Sequence, residues 1–167
     1  MNRKYSAKEY FDKVIMIKNY FELPSFTTDV IVGFPGESEE EFEETMAFVK
    51  KIGFSHIHVF KYSKRAGTRA AVMPNQIPEE IKNNRSNTLI ALSETMAKEY
   101  KDHFLGRIEK ILFEESMVIN GKTYQVGHNE RYLKLAVAEE QDLANQIRNC
   151  RIMNGLTEEI MLCEISN

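Results

Sequence analysis

Phe26-Thr27-Thr28-Asp29-Val30-Ile31-Val32-Gly33-Phe34, which ends in Pro35-Gly36, is the stretch of sequence that decides the fold. It is short and rich in β-branched residues, and its apolar character is nearly continuous. Such runs are typical of strands in a parallel sheet that is covered on both faces. We therefore predict a buried strand over 26–34.

A helix and a second strand are predicted after this stretch. Ser38 and Glu41 have the S-x-x-E spacing of a capping box, which predicts a helix that runs to about Ile52 and ends at Gly53. Residues 54–60, Phe-Ser-His-Ile-His-Val-Phe, predict the next strand. Strand, helix and strand with short connections predict a parallel βαβ unit with a right-handed crossover.

Two further helices flank this unit along the chain. Ser6 and Glu9 form another capping box and predict a helix over 7–20, with Lys18 at the edge of its apolar stripe and the amine in water. A long helix is predicted from Pro78 to about Leu105. One face of the long helix is predicted to consist of Ile81, Arg85, Leu89, Leu92, Met96 and Tyr100.

After Gly106 the pattern changes to short strands with turn residues between them. The candidate strands are 108–113, 117–119, 123–126, 132–137, 150–153 and 159–165, and Asn120-Gly121 is a hairpin turn signal. Several short strands at close spacing predict a small β-barrel or sandwich. We therefore predict two domains, an α/β domain over 1–105 and an all-β domain over 106–167.

The first predicted domain has few strands. Two parallel strands leave two open edges and bury too little apolar surface to make a comfortable domain. The simplest explanation is that residues 1–105 belong to a larger α/β sheet whose other strands lie outside this chain.

Composition restricts the class of protein. The 167 residues carry a net charge of −3, which does not indicate bulk nucleic-acid binding. No apolar run approaches the ~20 residues that cross a bilayer, and the start of the chain lacks the apolar core of a secretion signal. The cysteines, Cys150 and Cys163, form neither a disulfide framework nor a metal-ligand pattern, so a cytosolic protein with buried or free thiols is expected.

Candidate functional residues lie on the two predicted strands and in the turn after the first. The turn 33–37 leaves a strand and enters a helix, so it is either a cofactor-facing loop or only a tight connection. Asp29 lies within an apolar strand and is expected to need a partner or a water-filled cavity; it either binds nearby backbone N–H groups or faces a ligand. His56 and His58 share a strand face, but packed or hydrogen-bonded histidines are expected rather than metal ligands, because no third ligand is present nearby in the sequence.

Positive charge is concentrated in two places. The segment 53–78 has no acidic residue and suits a phosphate-bearing partner, a ligand carboxylate or simply solvent. Its basic residues before Pro78 are Lys61, Lys64, Arg65 and Arg69. The last region has seven basic and ten acidic residues, which argues mildly against strong, unassisted RNA binding. An RNA-binding patch there would consist of Lys122, Tyr124, Arg131, Tyr132 and Lys134.

Several stretches resemble the motifs of a known family. Residues 28–37, Thr-Asp-Val-Ile-Val-Gly-Phe-Pro-Gly-Glu, resemble the fifth-strand motif of radical SAM methylthiotransferases. Residues 60–71, Phe-Lys-Tyr-Ser-Lys-Arg-Ala-Gly-Thr-Arg-Ala-Ala, resemble their sixth-strand motif. Residues 1–5 resemble an internal stretch of that barrel, and the tail resembles TRAM, the small β-barrel that closes these enzymes. Residues 124–137 resemble the branch that acts on threonylcarbamoyladenosine in tRNA.

The resemblance implies a partial (β/α) barrel that binds S-adenosylmethionine, followed by a TRAM-like barrel that contacts tRNA. The full enzymes insert sulfur into an unactivated C–H bond and methylate it, with a radical made at a 4Fe-4S cluster held by a C-x-x-x-C-x-x-C motif. The present sequence does not contain that motif. We therefore expect the C-terminal portion of such an enzyme, inactive alone, with the N-terminal portion and tRNA as its partners.

The resemblance also implies site residues by their position in the motifs. Those expected around S-adenosylmethionine are Asp29 facing the barrel interior, Gly33, Pro35 and Gly36 in the turn, and Phe60, Tyr62, Ser63 and Arg65 after the second strand. Those expected to contact tRNA are Lys64, Arg69, Lys122, Tyr124, Arg131, Tyr132 and Lys134.

Two other functions stay open at this point. The chain is alternatively an RNA-binding accessory module without chemistry, or an α/β fragment with no function of its own. Salt-dependent tRNA binding would support the module, and a lack of both tRNA and S-adenosylmethionine binding would support the inert fragment. We expect a cytoplasmic location. If the sheet is part of a larger barrel, Ile31, Phe54 and Phe60 form an uncovered apolar face, and the chain should self-associate or be marginally stable through residues 1–105.

Overall fold

The structure is a computed structural model that describes residues 4–166. The chain divides into two compact units, of which the first ends at Tyr100 and the second begins at Lys101. Residues 1–3 and residue 167 lie outside the described residues. Residues 1–3 belong to the stretch 1–5 that resembles an internal part of the family's barrel. Within 4–166, no helix combines the length and the apolar character that crossing a membrane requires.

The first unit alternates helices and strands. Its elements are α1 (Ala7–Tyr20), β1 (Thr27–Val32), α2 (Glu39–Ile52), β2 (His56–Lys61), a 3₁₀ helix (Arg69–Val72) and most of α3 (Glu79–Asp102). Both predicted capping boxes form, at Ser6 with Glu9 and at Ser38 with Glu41. Gly53 ends α2 with a φ of 71°, a left-handed conformation in which glycine is favoured.

Strands β1 and β2 pair in parallel and form a two-stranded sheet. Thr27 is opposite His56, and Val32 is opposite Lys61. The predicted parallel strand–helix–strand arrangement is therefore confirmed. The helices pack on one side of the sheet around a core of Val14, Val32, Phe42, Val49, Ile52, Phe54, Ile57, Leu89 and Met96.

The other face of the sheet is open. Exposure alternates along β1, where Asp29 and Ile31 are exposed and Val32 is buried. The prediction of a strand covered on both faces was therefore wrong, because the helices of this unit cover only one of them. Phe54 was predicted to lie on the open face, but β2 begins only at His56 and Phe54 packs in the core.

Polar side chains take part in the packing of the helices. The amine of Lys18 is not simply in water, because its Nζ donates to the backbone oxygen of Ile52 at 2.7 Å and so satisfies a carbonyl at the end of α2. On α3, Ile81 is exposed, whereas Lys82 and Arg85 are only 7% and 5% exposed. The buried side of α3 thus carries two cations at its start, of which the predicted face contained only Arg85.

The second unit is a closed barrel. Its strands are β3 (Ile108–Ile119), β4 (Lys122–Asn129), β5 (Lys134–Val137), β6 (Ile147–Gly155) and β7 (Ile160–Ile165). They are joined in the order β3-β4-β5-β7-β6, with β5 and β7 parallel and the other pairs antiparallel. The order β6-β3-β4-β5 is that of a Greek key. Of the two predicted alternatives, the structure shows the barrel.

The hairpin between β3 and β4 forms where the sequence predicts it. Asn120 and Gly121 have φ values of 51° and 79°, which is the handedness that a two-residue turn of type I′ requires. The two predicted strands before it are one long strand, interrupted by a bulge between Phe113 and Glu115. A bulge bends a strand, and the bend allows one long strand to pair with two different strands in a small barrel.

Gln125 of β4 faces the barrel interior, because Gly127 and Asn129 on the same side of the strand are opposite Phe113 and Ile111. Gln125 is buried, and its amide nitrogen donates to the backbone oxygen of Glu139 at 3.4 Å. Its side-chain oxygen accepts from the backbone N–H of Leu143 at 3.3 Å. The segment between β5 and β6 is therefore held to the barrel by the Gln125 side chain.

Candidate functional site

The turn after β1 is held by hydrogen bonds at both ends. The backbone N–H of Gly33 donates to Glu37 Oε2 at 2.6 Å. The N–H of Gly36 donates to the backbone oxygen of Asn75 at 2.9 Å, which ties the turn to the segment before α3. Because both donors are satisfied inside the protein, the turn has a defined shape without a ligand.

Lys82 lies across the ends of both strands. An added Cβ at Gly33 would be 2.2 Å from Lys82 Cγ, so the stem of the lysine occupies the space beside this glycine. The amine donates to the backbone oxygen of Tyr62 at 3.2 Å and pairs with Glu79. The close approach that Gly33 permits is therefore to Lys82.

Arg85, one turn further along α3, binds the start of α2. Its Nη1 donates to Glu37 Oε2 at 2.6 Å, and its Nη2 donates to Glu39 Oε2 at 2.9 Å. Burial lowers the pKa of the Arg85 guanidinium, but hydrogen bonds and attraction from the carboxylates of Glu39 and Glu37 outweigh it, and the net pKa is raised. Arg85 therefore stays charged and fixes the turn to α3.

An open pocket lies on the far side of the turn, with a volume of about 350 Å³. It is lined by Ile31, Phe34, Pro35, Gly36, Glu37, Glu41 and Thr45. Gly36 has a φ of 86°, and an added Cβ would meet nothing within 4 Å. Gly36 is thus the glycine of this turn whose backbone a ligand can approach, and the volume is in the range of small-molecule sites.

Tyr62 joins the ends of the two strands. Its N–H donates to the backbone oxygen of Val32 at 2.9 Å, and its ring meets Phe34 edge to face with centroids 5.3 Å apart. Its hydroxyl is buried and has no hydrogen-bond partner among residues 4–166. A buried hydroxyl without a partner is costly, which suits a position that a ligand or water completes.

The remaining residues predicted around the cofactor lie on exposed surface. Asp29 and Phe60 are on the open face of the sheet, where Asp29 is opposite His58 and Phe60 is opposite Ile31. Asp29 is exposed, so it needs neither the buried partner nor the cavity that we expected. Ser63 and Arg65 are exposed in the loop after β2. The structure therefore brings Gly33, Pro35, Gly36 and Tyr62 together and leaves the others at the margin.

The paired histidines and the cysteines do not form a metal site in the part of the chain that is described. His56 and His58 are exposed, with their rings edge to face at 4.5 Å. Cys150 and Cys163 are buried in the barrel, and a hydrogen bond between them together with burial raises the pKa of the Cys163 thiol. Iron–sulfur clusters need several accessible thiolates, so the donor set described here does not fit one.

The residues predicted to contact RNA are not gathered in one patch on the barrel. Lys122 begins β4 at the hairpin, whereas Arg131 and Tyr132 follow its other end, roughly 20 Å further along the strand at about 3.3 Å per residue. Tyr124 is 8% exposed and packs in a hydrophobic cluster with Val126, Ala136 and Ile160. Lys64 and Arg69 are exposed in the first unit.

Two of these cations already have carboxylate neighbours. Arg131 Nη1 lies 3.2 Å from Glu109 Oε2, and Lys134 Nζ lies 3.8 Å from Glu115 Oε1. Tyr132, in contrast, is 84% exposed, with a φ of 61° that is rare for a bulky residue. Its ring lies beside that of His128, with centroids 5.3 Å apart, and its other face is open.

The contribution of α3 to the site was not predicted from the sequence. Lys82 was absent from the predicted face, and Arg85 was included only as a member of an apolar stripe. A cation within an apolar stripe is the signal that could have indicated a buried partner, because an unpaired charge is costly to bury. The partners, Glu37 and Glu39, are separated from Arg85 by more than forty residues.

Fold and site together define an α/β unit with a ligand-sized pocket at the carboxyl end of a parallel strand, followed by a small closed β-barrel. No protein-family model matches the chain. The chain is 40% identical over 156 residues to threonylcarbamoyladenosine tRNA methylthiotransferase MtaB of Bacillus subtilis, with 93% of the chain and 35% of the relative covered.

Two further relatives have the name tRNA-2-methylthio-N(6)-dimethylallyladenosine synthase. The one from Carboxydothermus hydrogenoformans is 36% identical over 93% of the chain and 35% of the relative. The one from Acetivibrio thermocellus is 42% identical over 74% of the chain and 26% of the relative. The chain therefore belongs to the tRNA methylthiotransferase family; it spans about a third or less of the length of these curated relatives and corresponds to their C-terminal part.

Proposed function

We propose that this chain is the C-terminal part of a radical S-adenosylmethionine tRNA methylthiotransferase that adds a methylthio group to threonylcarbamoyladenosine next to the anticodon, in the cytoplasm. The observation that carries this is the similarity over 93% of the chain to a protein named for that reaction. Relatives named for dimethylallyladenosine and aligned over a similar length are 36% and 30% identical, below the 40% of that protein. In this proposal the first unit is the end of a (β/α) barrel and the second is a TRAM-like domain.

The turn residues fit a cofactor such as S-adenosylmethionine. Gly36 has open space beside its backbone, Ile31 and Phe34 offer apolar walls, and the Tyr62 hydroxyl lacks a partner in the described residues. When bound, S-adenosylmethionine would supply the methyl group and the source of the radical. Lys82 and Arg85 would hold the turn and the end of β2 in place, so that the pocket keeps its shape.

Cluster ligands do not fit the described residues, so no step through a cluster is placed on them. Cys150 and Cys163 lie inside the barrel, and the pKa of Cys163 is raised. In this proposal the N-terminal portion of the enzyme provides the cluster ligands and is the partner of the open sheet face.

Nucleoside analysis tests the proposed reaction. Deleting the coding sequence in the source organism should remove the 2-methylthio group from threonylcarbamoyladenosine in tRNA and leave that of dimethylallyladenosine, as measured by mass spectrometry of digested tRNA. Loss from dimethylallyladenosine instead would assign the other substrate. Unchanged levels of both would show that the proposal is wrong.

An RNA-binding module without chemistry is the second candidate, because the barrel is a compact unit with its own core. Calorimetry of S-adenosylmethionine binding distinguishes the two. Under the main proposal the chain binds S-adenosylmethionine, Gly36→Val weakens binding, and Gly121→Val does not. Gly121 is the matched control, because it also has a positive φ, of 79°, and open space around it. RNA binding without S-adenosylmethionine binding would favour the module.

A further inference from the structure

One outward face of the barrel combines apolar and basic side chains. Strands β3 and β6 pair antiparallel, so that Ile108 is opposite Arg151, Lys110 is opposite Asn149, and Leu112 is opposite Ile147. The alternate residues Ile111, Cys150 and Ile152 point into the barrel and are fully buried. We name the six outward residues the β3–β6 face.

The apolar residues of this face are unusually exposed. Ile147 is 61% exposed, Ile108 is 49% exposed and Leu112 is 42% exposed. Leu112 and Ile147 are direct neighbours across the strand pair. Single exposed apolar residues are ordinary, but a contiguous group is typical of an interaction site.

The charged residues of this face are positive. Lys110 and Arg151 point outward, and none of its six residues is a carboxylate. Arg151 Nη1 donates to the backbone oxygen of Gly106 at 2.8 Å, which orients the guanidinium and leaves its other donors available. Carboxylates border the face at both ends: Glu164 is opposite Arg151 on β7, and Glu114 pairs with His128, which is opposite Leu112. The face is thus positive in a domain whose net charge is negative.

The cations on and next to β4 and β5 are less suited to a strand of nucleic acid. Arg131 and Lys134 lie next to Glu109 and Glu115. An RNA phosphate would have to compete with these carboxylates for Arg131 and Lys134, whereas Lys110 and Arg151 have no ion pair within residues 4–166.

We propose that the β3–β6 face contacts an unpaired RNA strand, with Lys110 and Arg151 on phosphates and Ile108, Leu112 and Ile147 against bases. The charges suit phosphates, and the apolar side chains suit the faces of unstacked bases. This rests on the proposed function, in which the barrel contacts tRNA, and it deepens that function by naming the surface.

Fluorescence anisotropy with a labelled RNA stem-loop that has an unpaired loop tests the surface, using the whole chain. Lys110→Gln with Arg151→Gln should weaken binding about tenfold at low salt and reduce the slope of log affinity against log salt by about 1.4, at about 0.7 for each single-strand phosphate contact. Leu112→Ser with Ile147→Ser should weaken binding but leave the salt slope unchanged. The matched control, Lys13→Gln with Lys50→Gln, removes two exposed cations of the first unit and should leave binding intact.

Each of the other possible outcomes of this experiment contradicts a specific part of the two proposals. If the wild-type chain binds no RNA at low salt, both the RNA role of the proposed function and this inference fail. If it binds RNA and the Lys110–Arg151 variant binds equally well, only the surface is wrong, and a loss in Lys122→Gln with Lys134→Gln would assign the surface of β4 and β5 instead. If Leu112→Ser with Ile147→Ser abolishes self-association in sedimentation and leaves RNA binding unchanged, the face is a protein contact.

Discussion

Gly33 and Gly36 lie three residues apart and have the same backbone handedness, with φ values of 72° and 86°, yet their surroundings are opposite. Gly33 is buried against the stem of Lys82, whereas Gly36 is exposed beside the pocket. In the sequence they are two glycines of one turn. In the structure the first serves packing and the second is open to a ligand.

Alanine substitutions separate these two roles. Gly33→Ala should lower the free energy of unfolding by about 3 kcal/mol, because the positive φ and the overlap with Lys82 both add cost. Gly36→Ala should lower it by about 1 kcal/mol, from the positive φ alone. Urea denaturation measures both. Equal losses in the two variants would show that the Lys82 side chain moves away at no cost. A Gly33→Ala, Lys82→Ala double variant would then be no more stable than either single variant.

A second prediction at the residue scale concerns Arg85. Arg85→Gln leaves the carboxylate of Glu37 buried without its cation, so the free energy of unfolding should fall by about 3 kcal/mol. Glu39→Gln removes a carboxylate whose side chain is 66% exposed, and the loss should stay under about 1 kcal/mol. A larger effect of Glu39→Gln than of Arg85→Gln in thermal or urea unfolding would contradict this assignment.

At the scale of elements, the two-stranded sheet is the exposed part of the first unit. In the described residues, β1 and β2 pair only with each other, so each strand has a free edge. One face also carries the exposed side chains of Ile31 and Phe60. The barrel, by contrast, is closed, and closure removes strand edges.

Hydrogen exchange should therefore differ between the two sheets. Amides of β1 and β2 should exchange faster than those of β4 and β7, because open edges and an uncovered face favour local opening. Exchange followed by mass spectrometry of peptic fragments measures this. A first unit as protected as the barrel, in a monomer, would show that the sheet is not part of a larger barrel.

The paired strands β6 and β7 give a prediction about thiol chemistry. Cys150 and Cys163 are buried, and their hydrogen bond together with burial raises the pKa of the Cys163 thiol. The thiolate is the reactive form, so Cys163 should resist alkylation by iodoacetamide at mildly alkaline pH and react once the barrel is unfolded in urea. Rapid labelling of Cys163 in the folded chain would contradict the buried position.

At the scale of the whole molecule, the proposed function makes this chain one part of a larger enzyme. The two cysteines lie inside the barrel, and the pocket lies in the first unit. Reductive cleavage of S-adenosylmethionine needs an electron from a cluster held by several thiolates. After iron–sulfur reconstitution, the purified chain should therefore form no 5′-deoxyadenosine in an assay with a reductant, whereas clear product would show that the chain holds a cluster.

Local signals in the sequence determined the elements and the family. The capping boxes at Ser6 and Ser38, the glycine that ends α2 and the Asn120-Gly121 hairpin depend on residues within one or two turns of chain. Such interactions can be recognised from spacing alone. The motif resemblance over 28–37 and 60–71 likewise needed no structure, and the relatives confirm the family.

Tertiary structure decided which surfaces are open and which charges are buried. The open face of the β1–β2 sheet and the burial of Lys82, Arg85 and Gln125 each depend on residues brought together from distant parts of the chain. The separation of Lys122 from Tyr132 follows from the length and direction of β4. The order of these residues in the sequence does not show that distance. Spacing along the sequence specifies local geometry, but burial and charge pairing are properties of the packed chain.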